Sequence, residues 1–196
     1  MIQAVLKFWF GDQTDGFCTD ECRERWFVTN AEFDEEIRGR FGDLPGQARS
    51  GQLDGWLESA EGTLAYVIVT DQFPRNLFRG TADAFGFDHL ALAAAREAVS
   101  SGQDLSLGFD ERAFLYLPFE HSEDLVDQHA SVGLFSQLRD QTPAGSRHIT
   151  GGYLQHAHQH RDIVQRFGRF PHRNAALGRV SSEEEAEFAE GGGFGQ

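Results

Sequence analysis

Apolar residues recur along this chain mostly three and four positions apart, the spacing of a helix face, and seldom in the strict alternation of a half-buried strand. The stretch "AVLKFWF" (4–10) reads as a short buried helix stopped by Gly11. In "TNAEFDEEIRGRFG" (29–42), Phe33, Ile37 and Phe41 fall at i, i+4 and i+8, one apolar stripe on an acidic helix. Thr29 with Glu32 predicts a capping box at its start, and Gly42 predicts its end. "GTLAYVIVTDQF" (62–73) carries β-branched residues that favour a strand, but no second such run exists to pair with it. A lone strand leaves its backbone unsatisfied, so a buried central helix is expected, with a bend before Pro74 and a restart carrying Pro74 in its first turn.

Further helices are predicted over 85–102, closed by Gly102, and over 151–168, closed by Gly168. The stretch 110–140 reads as two helices bent at Pro118, with Ser122 as a cap and Glu123 and Asp124 in the turn after it. A last surface helix with a Ser cap spans 181–190, and "GGGFGQ" (191–196) is expected to form a flexible tail. Short connections and the lack of a linker predict an all-α fold, one compact domain over 1–190 with about eight helices.

Composition sharpens this picture. Phe supplies 18 of the aromatics in the 196 residues, which points to a dry aromatic core, because Phe needs no polar partner. The net charge of −14 opposes non-specific contact with phosphate backbones, so no nucleic-acid partner is expected. No apolar run approaches the ~20 residues of a membrane span, and Gly11-Asp12 interrupts the N-terminal apolar run too early for a signal peptide. A cytoplasmic protein with no membrane partner is therefore expected. Cys18 and Cys22 would share a face on a helix and lack the partners of a zinc quartet, so they read as reduced thiols.

The cations are nearly all Arg, with Lys7 the one exception, and Arg suits planar, partly buried pairing. They concentrate in two related phrases, "QFPRNLFRG" (72–80) and "RFPHRNAALGR" (169–179). Residues 160–179 hold five Arg and one Asp, a cationic stretch in an anionic chain. The first phrase offers Asp71, Gln72, Arg75, Asn76 and Arg79 as ligand-binding candidates, and the second Arg169, His172, Arg173 and Asn174. Guanidinium groups among Phe, Pro and Leu need partners. Internal carboxylates are one supply, with Asp71–Arg75 and Asp162–Arg166 at i, i+4. An external carboxylate or phosphate, held at the helix starts after Pro74 and Pro171, is the other.

Glu120 and His121 form a candidate acid–base pair, and His160 is a third catalytic candidate. His156 and His160 share a helix face, but a metal would need a third ligand from Glu120, His121 or His172, and no HExxH occurs, so no metal is expected. No Gly-rich phosphate loop, nucleophile elbow or dinucleotide fingerprint is present, and no cofactor is expected.

The motifs "TDQFPRNLFRGTADAF", "FLYLPFEHSEDLVDQ" and "HRDIVQRFGRFPHRNAALGR", in this order, resemble the bacterial family known as domain of unknown function 924, from about Val5 to Phe188. The resemblance implies an all-α array of helix hairpins similar to the tetratricopeptide-like superhelical fold, and it supplies no activity. Two functional readings follow. One is a binding protein that holds a small anionic molecule or a peptide in an Arg-lined cavity between helices. The other is an enzyme on a small phosphorylated or carboxylated substrate, with Glu120, His121 or His160 moving protons.

Overall fold

The computed structural model describes residues 1–191, so all but the first residue of the expected C-terminal tail lies outside the described residues. The fold is all-α, as the periodicity predicts, with eleven α-helices among the described residues. The chain divides into two compact units, the first comprising Met1–Arg79 and Asp83–Pro118, the second Gly80–Ala82 and Phe119 onward.

In the first unit, α1 (Ile2–Phe10) stops at Gly11, φ 63°. A short antiparallel hairpin follows, Gln13–Thr14 (β1) against Phe17–Cys18 (β2). It was not expected, although Asp15-Gly16 is the dipeptide that a two-residue hairpin turn prefers, and both residues adopt positive φ here. It also moves Cys18 onto a strand, so the two cysteines do not share one helix. Thr19 caps α2 (Asp20–Phe27). Asn30, not the expected Thr29, caps α3 (Ala31–Phe41), its side chain accepting from the backbone N–H groups of Glu32 and Phe33. Asn is at least as good a cap as Thr and stands one residue nearer the first helical turn. The predicted stripe of Phe33, Ile37 and Phe41 is buried. Its two Phe rings meet other aromatics in one core. Phe33 stacks on Phe8 at 5.1 Å between centroids, Phe41 on Phe73 at 5.3 Å, and Trp9 meets Phe114 edge-on at 5.6 Å.

A short α4 (Leu44–Arg49) leads to α5 (Ala60–Val67), buried along its whole length from Gly62. Gly62 has no substitute: an added Cβ would lie 2.0 Å from the Trp56 carbonyl oxygen. Here the expected central helix is borne out. It runs into a wider π-helical stretch, Ile68–Gln72, before α6 (Phe73–Leu77) begins with Pro74 in its first turn. The widening answers the proline, whose ring would collide with the carbonyl four residues back in a regular α-helix. Thr70 Oγ1 donates to the Tyr66 carbonyl at 2.7 Å within this stretch. Next, α7 (Asp88–Ser101) presents Ala91, Ala94, Ala95 and Ala98 as its buried face and packs against α5, closing at Gly102 in the left-handed conformation. Finally α8 (Phe109–His121) contains Pro118 without ending there. The expected bend lies instead at 122–124, after α8.

The second unit is built on a helix hairpin, α9 (Leu125–Gln141) and α10 (Arg147–Phe167). Asp124, not Ser122, caps α9, accepting from Val126 N–H, while Ser122 Oγ accepts from Asp124 N–H and donates to Asp127. Gly168, φ 69°, ends α10 and reverses the chain. Ile163, Val164 and Phe170 then form a small core with Phe167 and Phe188. The last helix, α11 (Glu183–Glu190), carries the expected Ser cap, Ser182, which forms a capping box with Glu185. No helix among the described residues is long and apolar enough to cross a membrane.

Candidate functional site

Each echoed phrase folds into the same kind of joint. A fully buried Phe, Phe73 or Phe170, precedes a Pro that opens a helical turn. An Asn amide and an Arg fork then converge on one carboxylate in the first turn of a helix. In the first unit that carboxylate is Asp34 of α3: Asn76 donates to it at 2.7 Å, and Arg79 at 2.7 and 2.9 Å. In the second unit it is Glu185 of α11, which takes Arg169 at 2.6 and 2.8 Å and Asn174 at 3.3 Å. Burial alone would push the Asp34 carboxyl up, but Arg79 and Asn76 hold it below its ordinary value. The Arg169 fork, with the Ser182 N–H, brings Glu185 down to about 2.

The remaining forks are also engaged internally. Arg75 grips Asp88 at 2.9 and 3.1 Å, donates to the Asp71 backbone carbonyl at 2.6 Å and keeps Asp71 Oδ1 at 3.5 Å. Gln72 donates to Asp71 at 2.5 Å. Arg179 clasps Glu123 at 2.6 and 2.9 Å and donates to the Phe170 carbonyl and to Asn174 Oδ1. Glu123 also accepts from Phe170 N–H at 2.8 Å. Its burial raises its carboxyl, and Arg179 with the Phe170 N–H outweighs this, leaving it lowered. Arg166 turns to Glu184, and Asp162 pairs with its neighbour Arg161, so the i, i+4 pairing of Asp162 with Arg166 is not formed.

Within the second unit the three candidate acid–base residues come together. The last turn of α8 supplies Glu120 and His121, and α10 supplies His160. Glu120 is 3 % exposed, and its Oε1 lies 2.9 Å from His160 Nδ1. The same Nδ1 lies 3.0 Å from the His156 carbonyl oxygen. Both neighbours are acceptors, so Nδ1 carries a proton. Glu120 Oε2 is buried and has no hydrogen-bond partner. The His121 ring stands 6.1 Å from that of His160, centroid to centroid. Phe170 meets His160 edge-on at 5.5 Å, has His172 at 5.5 Å, and carries the Arg173 guanidinium over its face at 4.6 Å. Arg173 is buried and His172 exposed.

Gln128 explains how Glu120 is held. This fully buried side chain of α9 donates to the carbonyls of Glu120 and Ser122, each at 2.6 Å, and so satisfies acceptors that α8 leaves at its end. Neither Gln128 nor the central place of Phe170 was foreseen, although the Phe before each Pro was a visible signal. Among the described residues, no three His, Cys, Asp or Glu side chains gather closely enough to hold a metal ion.

Residues 5–193 match the family described as "Bacterial protein of unknown function (DUF924)". A solved structure of a protein of unknown function from Agrobacterium tumefaciens is 40% identical, with a TM-score of 0.81 and 97% of each chain covered. Among curated proteins, none matches.

Proposed function

This chain belongs to the bacterial DUF924 family of proteins of unknown function, and from that premise we propose that its second unit carries out acid–base chemistry on a small carboxylated or phosphorylated substrate. His160 takes up and releases the proton, and Glu120 is its positioning partner. The observation that carries the reading is the 2.9 Å contact between Glu120 and His160 Nδ1. A carboxylate on Nδ1 fixes the ring's orientation and tautomer, and it stabilises the imidazolium formed when Nε2 takes a proton. His121, beside His160, is a second group able to transfer protons. Phe170 provides an apolar floor, and His172 and Arg173, both against its ring, supply the contacts for an anion. The forks of Arg75, Arg79 and Arg169, with Asp71, Gln72, Asn76 and Asn174, serve the fold in this reading, because each fork already holds an internal carboxylate. A binding protein without turnover is the second reading, favoured by Arg173 over Phe170, an arrangement suited to a peptide's terminal carboxylate.

Thermal shift against phosphates, nucleotides, carboxylates and C-terminal peptides identifies the ligand class; a ligand at a hundred times its Kd adds about 2.7 kcal/mol. A compound that responds is then assayed for turnover. Glu120→Gln is expected to keep the thermal shift and to lower turnover about 10²–10⁴-fold. Full turnover in Glu120→Gln overturns the acid–base reading, and binding without turnover by the unaltered protein decides for the second.

A further inference from the structure

In the first unit two short 3-10 turns flank the packed pair α5 and α7, Asp54–Glu58 before α5 and Gln103–Ser106 after α7. These four elements line a cavity of about 270 Å³. Small side chains make the room: Ala94 and Ala98 of α7 are buried, end at Cβ, and line it together with the buried Thr63 and Tyr66 of α5. Leu57 and Leu90 complete an apolar wall. Ala93 and Glu97 are exposed, so the cavity opens to solvent on their side. Thr63 Oγ1 donates toward the Leu57 carbonyl at 3.4 Å and Gln103 Oε1 at 3.3 Å, which ties both turns to α5. Tyr66 is 4% exposed, and its hydroxyl has no hydrogen-bond partner among the described residues. Burial, with the Asp54 charge, pushes this phenol up, so it keeps a proton to donate. Glu97 is the one charged residue lining the cavity, and its carboxylate has no ion-pair partner among the described residues.

We propose that this cavity binds a small amine with an apolar body, of the arylalkylamine class, its ring held between α5 and α7 and its ammonium at Glu97. Every lining residue belongs to the first unit, whereas Glu120, His121 and His160 belong to the second, so the proposal does not rest on the acid–base reading. Volume sets the body of the ligand. An apolar cavity of ~150 Å³ accepts benzene. A cavity of about 270 Å³ therefore has room for an aromatic ring with a short alkyl arm. Charge sets the pole. A carboxylate at the mouth, with no Lys, Arg or His on the wall, attracts a cation and repels an anion. The chain's net charge of −14 acts in the same direction. Glu97 is exposed, so water and salt screen it, and its preference for an amine over an uncharged analogue should be about 2–5-fold in Kd. Burial of the ring supplies most of the affinity.

The test is an NMR titration of the full-length protein with phenethylamine and, in parallel, with phenethyl alcohol and phenylpropionate. The expected result is saturable one-to-one binding of the amine, with shifts centred on the methyl groups of Leu90, Ala94 and Ala98. The alcohol should bind about 2–5-fold more weakly, and the carboxylate more weakly still. Glu97→Gln should remove the advantage of the amine and leave the Kd of the alcohol unchanged. Ala93→Leu, at the exposed mouth, should abolish binding of both while Tm holds. The proposal is overturned if phenethylamine gives no saturable shift up to its solubility limit, if the shifts lie away from these residues, or if either analogue binds as tightly as the amine. Those three readings use the unaltered protein, so they decide even where a variant fails to fold.

Discussion

Arg179→Ala removes four hydrogen bonds with one substitution, because that guanidinium reaches both oxygens of Glu123, the Phe170 carbonyl and Asn174 Oδ1. The magnitude follows from where the pair sits. A solvent-exposed ion pair contributes ~0–1 kcal/mol, and breaking a fully buried one costs ~3–5 kcal/mol. Arg179 and Glu123 are 23% and 28% exposed at their side chains, nearer the buried limit but still partly screened by water. Removing the fork should therefore cost about 2–3 kcal/mol, part of it the price of leaving Glu123 charged with the Phe170 N–H and the more distant Arg173 charge. At roughly 2–4 °C per kcal/mol for a chain of this size, Tm should fall by about 4–12 °C. Thermal unfolding followed by circular dichroism measures this. Arg179→Lys keeps the charge without the two-pronged geometry and should recover less than half of the loss. A double-mutant cycle with Glu123→Gln should return a coupling of about 1–2 kcal/mol. A fall in Tm below about 2 °C for Arg179→Ala, or strictly additive single variants, would refute the assignment of this fork as the clasp between the turn after α8 and the Phe170 segment.

Acid should act through the joints. The Glu185 carboxyl is brought down from its ordinary 4.5 to about 2, so its contribution is complete above about 4.5 and disappears as pH falls toward about 2. Asp34 and Glu123, also lowered, add to the same acid limb, and Glu185→Gln should flatten it in a circular-dichroism titration. Asn30→Ala should cost about 0.5–2 kcal/mol in urea unfolding, and Thr29→Ala distinctly less, since the α3 cap is Asn30. Phe73→Ala, at the meeting of the Phe8, Trp9 and Phe41 rings, should cost about 3–5 kcal/mol by the same assay.

Local signals in the sequence were enough for most of the fold. Gly11, Gly102 and Gly168 end helices where their positions predict, and the stripe of Phe33, Ile37 and Phe41 is buried. The central run at 62–73 was resolved by asking where its backbone hydrogen bonds could go, a question that propensity leaves open. Pro118 misled because one missing N–H near a helix end is tolerated there, while Ser122, Asp124 and Gln128 together set the break after His121. At the site, residue types identified Glu120, His121 and His160, but their meeting depends on Glu120 reaching His160 forty residues further along the chain, a long-range fact with no local signature. The carboxylate partners of the Arg forks were missed for the same reason. Asp34, Asp88, Glu123 and Glu185 lie 13 to 56 residues from the arginines they hold.

The π-helical stretch at Ile68–Gln72 also sets the phase of everything after it. Each residue of a regular helix turns the chain by about 100°, so deleting one residue there and restoring the tighter winding would rotate the segment from Pro74 onward by about that angle. Asn76 and Arg79 would then face away from Asp34. A chain shortened by one residue at this point should keep its helices yet lose the first joint, which makes the length of this short stretch, more than its composition, the quantity that the sequence must preserve.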